Sequence, residues 1–247
     1  MTEEVWTVFL AATVTALMTG LGAVPFFFLK KINEKTIRLS TAAAGGLMLA
    51  ACHSLIAEGV VYSSERVILG LIAGIIAIFI SKRLIARNHD VYIANLSGAN
   101  ATKALLILGI MTAHSFGEGV GIGVSFSGEN QTLGMFITTA ISLHNVPEGL
   151  AISLVLVPRG TPVWKAILWS IFTSLPQPLM AVPSFLFVQI FEPFLPVGLG
   201  IAAGAMLLMV FAELIPDAMN KEEDYPAGFA ITIAFICMLA FQFLVLQ

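Results

Sequence analysis

The stretch TTAISLHNVPEGLAISLVLV (residues 138–157) decides how this chain must fold. Its flanks are apolar enough for the interior of a lipid bilayer. Yet HNVPEG, at residues 144–149, sets an imidazole, a carboxamide, a proline and a carboxylate inside that run, and HSFGEG at residues 114–119 repeats the same H-x-x-x-E-G frame upstream. A carboxylate at the centre of a bilayer costs about 2.5 to 3.5 kcal/mol on insertion scales. Both frames therefore need something in the fold that compensates them.

The rest of the sequence says that the bilayer is the right solvent. Of 247 residues, 58% are hydrophobic and 11% charged, about half the charge of an ordinary soluble domain. A helix needs roughly 20 mostly apolar residues to cross the hydrocarbon core. Eight such stretches can be drawn, at about residues 5–29, 39–62, 67–86, 104–126, 131–157, 163–190, 194–219 and 226–246. The expected fold is an all-α membrane protein of eight transmembrane helices, in a single domain covering residues 1–247. Almost no chain remains for a soluble domain, and the helices satisfy their own backbone hydrogen bonds.

Charge placement gives an orientation. With the N-terminus placed outside, the inner connections hold Lys30, Lys31, Lys35, Arg38, Lys82, Arg83, Arg87, Lys103, Arg159, Lys165 and Lys221, and the outer ones hold Arg66 alone. That is a strong positive-inside bias, and it puts both termini on the non-cytoplasmic side. The opening MTEEVW lacks the basic region of a secretory signal, so the first apolar stretch is expected to be a retained helix. Cys52 and Cys237 show no C-x-x-C spacing and read as packing residues. His89, in the polar connection RNHDVYIANLSGAN, reads as a solvated loop residue.

On a helix, residues four apart share one face. His114 with Glu118, and His144 with Glu148, therefore each form a two-ligand clip. A hairpin folded at the SGEN turn (residues 127–130) brings both histidines about 20 Å from the turn, at about 1.5 Å per residue, near the middle of the bilayer. Two carboxylates at one level repel unless a cation or protons offset them. Imidazole nitrogen and carboxylate oxygen are the donors that zinc and its first-row neighbours accept. The pair of frames reads as a divalent-metal site, although a single buried His–Glu pair alone is equally well an interhelical hydrogen bond.

The neighbours fit a crowded polar centre. Gly117 and Gly121, and Gly119 and Gly123, have the small-xxx-small spacing that lets helices approach closely. Pro147 has no amide to give the carbonyl of Leu143, and a freed carbonyl at midplane is tolerated where it faces a cavity or an ion. In SLPQPLMAVP, Pro176 and Pro178 flank Gln177. Met48 reads as core on sequence alone, and His53 as a packing or lumen-facing residue. Glu213 and Asp217 read as a solvated helix end, with a cation exit path as the functional alternative. AGGLML (residues 44–49) in the second span recurs as AAGAML (residues 202–207) in the seventh, which crosses in the opposite direction, a weak sign of the inverted repeats common in transporters.

These motifs resemble those of the ZIP (Zrt/Irt-like) divalent metal transporters, and the resemblance covers essentially the whole chain. HSFGEG is similar to the family's fourth-helix motif, HNFPEG or HNxxDG, and HNVPEG to its fifth-helix motif, HNIPEG or HEIPHE. HSFGEGVGIGVSF followed by SLPQPL resembles the branch without a long histidine-rich loop. The resemblance implies a ZIP-type bundle with an inverted repeat around helices four and five. It implies metal ligands at His114, Glu118, His144, Asn145 and Glu148, with Met48 beside the site and Gln177 at a position where many members carry glutamate. It also implies that helices one, four, five and six move against two, three, seven and eight. Ser115 stands where the family usually has asparagine, and Asn145 and Gln177 are neutral, so a second metal position loses negative charge while the first keeps its ligands.

The function expected is transport of Zn²⁺, with Fe²⁺, Mn²⁺ and Cd²⁺ as further cargo, towards the cytoplasm. No cofactor is expected beyond the transported ion. The expected partners are divalent ions and membrane lipid, with a second copy of the chain as a candidate and no nucleic acid. The alternative is an intramembrane metal-dependent hydrolase or di-iron oxidase, against which stand the lack of H-E-x-x-H and the small number of histidines, 4 in all.

Overall fold

The computed structural model describes residues 2–28, 33–86, 92–127, 131–219 and 225–245. Within these ranges the side chains of residues 2, 82, 84–86, 131, 133, 140, 144 and 244–245 lie outside the described set. The chain runs α1 (Thr2–Leu21), α2 (Glu34–Tyr62), α3 (Ser64–Ala86), a ribbon of β1 (Tyr92–Ile93) and β2 (Leu96–Ser97), α4 (Gly98–Phe126) and α5 (Gln131–Leu156). It continues through α6 (Val163–Ser174), α7 (Pro176–Leu186), α8 (Val188–Phe191), α9 (Leu195–Met209), α10 (Ile215–Ala218) and α11 (Tyr225–Val245). Among the described residues, seven helices are long and apolar enough to cross a membrane. The eighth is the sixth expected span, which is divided between α6 and α7; α8 falls in the same apolar window as α9.

That span is where the helices depart from the expected continuous stretch of residues 163–190, and proline chemistry explains the break. The chain stops at Ser174 and restarts at Pro176, so Pro176 and Pro178 fall in the first turn of α7. Amides in a first turn have no intrahelical acceptor, and their absence costs little there. The seventh span is also irregular: a π turn at Val210–Leu214 precedes α10, whose second residue is Pro216. The wider turn accommodates a residue that cannot donate and would crowd the carbonyl four residues earlier. Pro147, by contrast, sits inside an unbroken α5. α4 begins at Gly98, earlier than expected, and the connection before it folds into the short ribbon. His89 lies outside the described residues, as do Lys30, Lys31, Arg87 and Lys221.

The central helix is α4: 67% of its most apolar window is buried, against 17% for α3 and for α11. Those two peripheral helices turn residues such as Ile72, Phe79, Phe229 and Ile236 outward, as expected where lipid is the solvent.

The packing maps onto itself when span one is exchanged with six, two with seven, three with eight, and four with five. α1 packs on α5 as α7 packs on α4; α2 packs on α11 as α9 packs on α3; α2 meets α5 as α9 meets α4. The glycines obey the same exchange. A Cβ on Gly149, the last residue of HNVPEG, would run into the carbonyl of Thr19 on α1, and one on Gly119, the last residue of HSFGEG, into the backbone of Gln177 on α7. Gly46 of AGGLML presses on the carbonyl of Ile231 in α11, and Gly204 of AAGAML on that of Leu71 in α3. Each repeated motif thus ends in, or contains, a glycine that seats an equivalent neighbouring helix. Of the two expected small-residue pairs, Gly119 and Gly123 form the tight seam with α7, whereas the nearest neighbours of Gly117 and Gly121 are the side chains of Leu199 and Glu58.

Replacing Gly149 with Val forces α1 off α5 and should destabilise the folded protein by about 1 to 3 kcal/mol or more, as overpacking does. Gly198→Ala, where nothing lies within 4 Å, should leave thermal unfolding in detergent unchanged. Equal melting temperatures for the two variants would contradict the seam.

Candidate metal centre

α4 and α5 present the two frames to each other. The Nε2 of His114 lies 2.7 Å from Oε1 of Glu148 on α5 and 3.6 Å from Oε1 of Glu118, one turn along its own helix. One potential ligand atom from each of His114, Glu118 and Glu148 falls within 4.8 Å of the others, and all three residues are buried. Two carboxylates and an imidazole this close and this dry are costly without a cation. As a donor set they suit zinc or a similar first-row ion. The side chain of His144 lies outside the described residues, so the geometry concerns three of the four residues in the two frames.

A hydrogen-bonded network holds one carboxylate from behind. Gln177 Nε2 donates to Oε2 of Glu118 at 2.6 Å. The Gln177 Oε1 in turn accepts from Asn145 Nδ2 at 3.1 Å and from the Thr15 hydroxyl at 2.5 Å. Asn145 Nδ2 also donates to the carbonyl of Thr15 at 2.7 Å. With both amide hydrogens committed, the orientation of the Asn145 carboxamide is fixed. Its Oδ1 is buried and accepts no hydrogen bond among the described residues, which leaves an oxygen donor beside the cluster. Gln177 stands in the first turn of α7, where the break in the sixth span places a polar side chain deep in the membrane. Beyond it, Thr19 and Ser174 share a hydrogen bond of 2.7 Å, again between α1 and the sixth span.

Met48 is buried and borders a small cavity with Met111, Pro147, Glu148, Met206 and Met238. Met206 occupies in AAGAML the place of Met48 in AGGLML, so the repeat delivers two thioethers to the side of Glu148. Ser115 is buried one position round the helix from His114. The sequence reading did not include Thr15, Met206 or Gln177's link to Glu118. A threonine in a membrane helix ordinarily bonds its own preceding turn, and the Ala12 carbonyl, 2.7 Å from the Thr15 hydroxyl, competes with Gln177 for its one proton; the aligned repeat was the available signal for Met206.

At the end of the bundle where α2 begins and α5 finishes, Asp217 of α10 pairs with Lys103 of α4 and with Arg159 at 3.4 Å. Arg159 also donates to the hydroxyl of Thr41 on α2 at 3.1 Å. Asp217 is therefore bound into an ion-paired contact between spans rather than standing as a simple solvated helix end. At the opposite end a cavity of about 490 Å³ reaches His114 and Glu118.

A multi-pass membrane bundle with a buried imidazole–dicarboxylate cluster at its centre defines the class. Residues 85–246 match the family described as ZIP zinc transporter. The chain is 45% identical over 239 residues to a candidate zinc transporter of Arabidopsis thaliana, covering 96% of this chain but 38% of that protein. It is 30% identical over 243 residues to the zinc transporter GufA of Myxococcus xanthus, covering 93% and 95% of the two chains. It is 35% identical over 143 residues to the zinc transporter ZIP11 of Homo sapiens, covering 56% and 42%. The alignments thus span under half the length of the plant and human relatives and nearly all of the bacterial one. This chain belongs to the ZIP zinc transporter family, a family of transporters rather than enzymes.

Gln177→Ala removes the donor that fixes Glu118, and loss of such a supporting hydrogen bond typically costs about 10- to 100-fold in metal affinity. Titration of the purified protein with Zn²⁺ by calorimetry should show that loss; an unchanged affinity would rule out a supporting role for the network.

Proposed function

We propose that this chain carries divalent metal ions, Zn²⁺ foremost and Fe²⁺, Mn²⁺ or Cd²⁺ as related cargo, across its membrane towards the cytoplasm by alternating access. The observation that carries the reading is the convergence of His114, Glu118 and Glu148 from two helices in the buried centre of the bundle. His114, Glu118 and Glu148 hold the ion, His144 completes the pair of frames, and Asn145 offers its oxygen. Met48, Ser115 and Gln177 border the site, with Gln177 acting through Glu118. Because Asn145 and Gln177 are neutral, a single ion is the favoured load.

A site meant for passage must also release. Carboxylates and a carboxamide around imidazole bind less tenaciously than a thiolate cage, which suits conduction. The zinc named in the family and in its relatives supports the choice of cargo, and the concentration of lysine and arginine at the Arg159 end supports cytoplasmic release there.

The packing supports a rigid-body cycle. α1, α4, α5 and the sixth span bind one another closely, as do α2, α3, α9 with α10, and α11; the two groups meet mainly where α2 faces α5 and α9 faces α4. The Asp217 ion pairs and the Arg159–Thr41 hydrogen bond bridge the two groups at one end, while the cavity opens at the other. In this state the site faces the end where α1 begins. Breaking those bridges as the groups slide opens the other.

Radioactive zinc uptake into proteoliposomes tests the proposal. A His114→Ala, Glu148→Ala variant that still folds should lose at least roughly tenfold in rate, since even supporting residues cost that much in affinity. Wild-type flux in the double variant would end it. A panel of competing divalent ions in the same assay ranks the cargo.

A further inference from the structure

The cavity above the central cluster carries chemistry that the two frames do not explain. Its walls include His53, Glu58 and Tyr62 of α2 and Gln242 of α11, and His114 and Glu118 lie at its floor. Most of the remaining lining is aliphatic or aromatic. Glu58 forms no hydrogen bond or ion pair with any described residue. Its carboxylate lies over Gly121 of α4: Oε1 is the nearest atom, at 3.9 Å, to where a Cβ on that glycine would stand. Gly121 is three residues beyond Glu118, about 4.5 Å nearer the mouth of the cavity.

A second polar side chain belongs to the same wall. Gln242 lies in the otherwise apolar run FICMLAFQFLV and is 7% exposed, and its Nε2 donates to nothing among the described residues. A buried amide left so is costly unless its side chain turns into the cavity to bind something polar there. A hydrated divalent ion supplies this, since its water shell accepts from and donates to a carboxamide while the ion is attracted to Glu58. The apolar walls around Glu58 focus its field, and the volume holds an ion with a shell of waters at about 30 Å³ each.

We infer that Glu58, with Gln242 and His53 beside it, forms an outer capture site that takes a hydrated divalent cation and passes it to His114 and Glu118. The inference rests on the transport reading of the central cluster. Capture and transport ligands then belong to different groups of helices: Glu58 and Gln242 ride with α2 and α11, and His114, Glu118 and Glu148 with α4 and α5. Glu58 faces the cluster in the state described here and is displaced from it when the groups slide.

Initial rates of zinc uptake against zinc concentration, from the α1 N-terminal side, test this. Glu58→Gln should raise KM roughly tenfold, the size of effect that focused charge gives, with kcat within a factor of about two, and Glu58→Asp should restore most of the loss. Glu65→Gln, an acid at the same end but outside the cavity lining, should do neither. An unchanged KM in Glu58→Gln, or an equal shift in Glu65→Gln, overturns the proposal. A second arm separates its failure from that of the transport reading. In purified His114→Ala, Glu148→Ala protein, Cd²⁺ binding followed by calorimetry should retain a weak site that both Glu58→Gln and Gln242→Leu abolish. No residual site, or one indifferent to both changes, overturns the capture site whatever the flux assay gives.

Discussion

Two carboxylates and an imidazole share the dry centre of this bundle, and much of the surrounding structure works to make that arrangement tolerable. Charge of one sign at membrane depth must be offset by a cation, by protons or by hydrogen-bond donors. The chain supplies donors on one side, through Gln177 and the Asn145–Thr15 relay behind it. On the other side it leaves potential ligand atoms of His114, Glu118 and Glu148 within 4.8 Å of one another. The break in the sixth span, which Pro176 and Pro178 dictate, sets Gln177 in the first turn of α7, where the missing proline amides cost little.

Close approach of helices is the second requirement, and it is met twice by the same device. Gly119 and Gly149 end the two frames and seat α7 and α1, while Gly46 and Gly204 do the same for α11 and α3. The ligand and the packing residue are thus coupled in sequence: in each H-x-x-x-E-G frame the glutamate faces the site and the glycine beside it locks the helix that backs that site. Mutating the glycine would disturb the candidate metal centre through geometry alone.

Much of this was legible in the sequence because bilayer physics leaves few choices. Apolar runs of about twenty residues must be helices, and spacing of four on a helix puts His114 and Glu118 on one face. The prolines around Gln177 signalled irregularity, though not that the span would break at Leu175 and again at Phe187. Less legible were partners separated widely along the chain. Nothing local ties Thr15 to Gln177, or Asp217 to Lys103. Glu58 lay within a span drawn from residue 39 to 62, but without a histidine four residues away nothing marked it until folding set it over Gly121 in a cavity that Gln242 also lines. The side chain of His144, central to the sequence argument, lies outside the described residues.

The neutral carboxamide at Gln177 has an electrical consequence. With Glu118 and Glu148 ionised and the imidazoles uncharged, one bound divalent ion brings the loaded centre to a formal charge of zero, whereas a glutamate at position 177 would leave it negative. A membrane potential acts on moving charge at about 2.3 kcal/mol per elementary charge per 100 mV. Under the proposed alternating-access cycle the loaded helices would therefore cross the field with little electrical work, leaving any sensitivity to voltage to the return of the empty carrier.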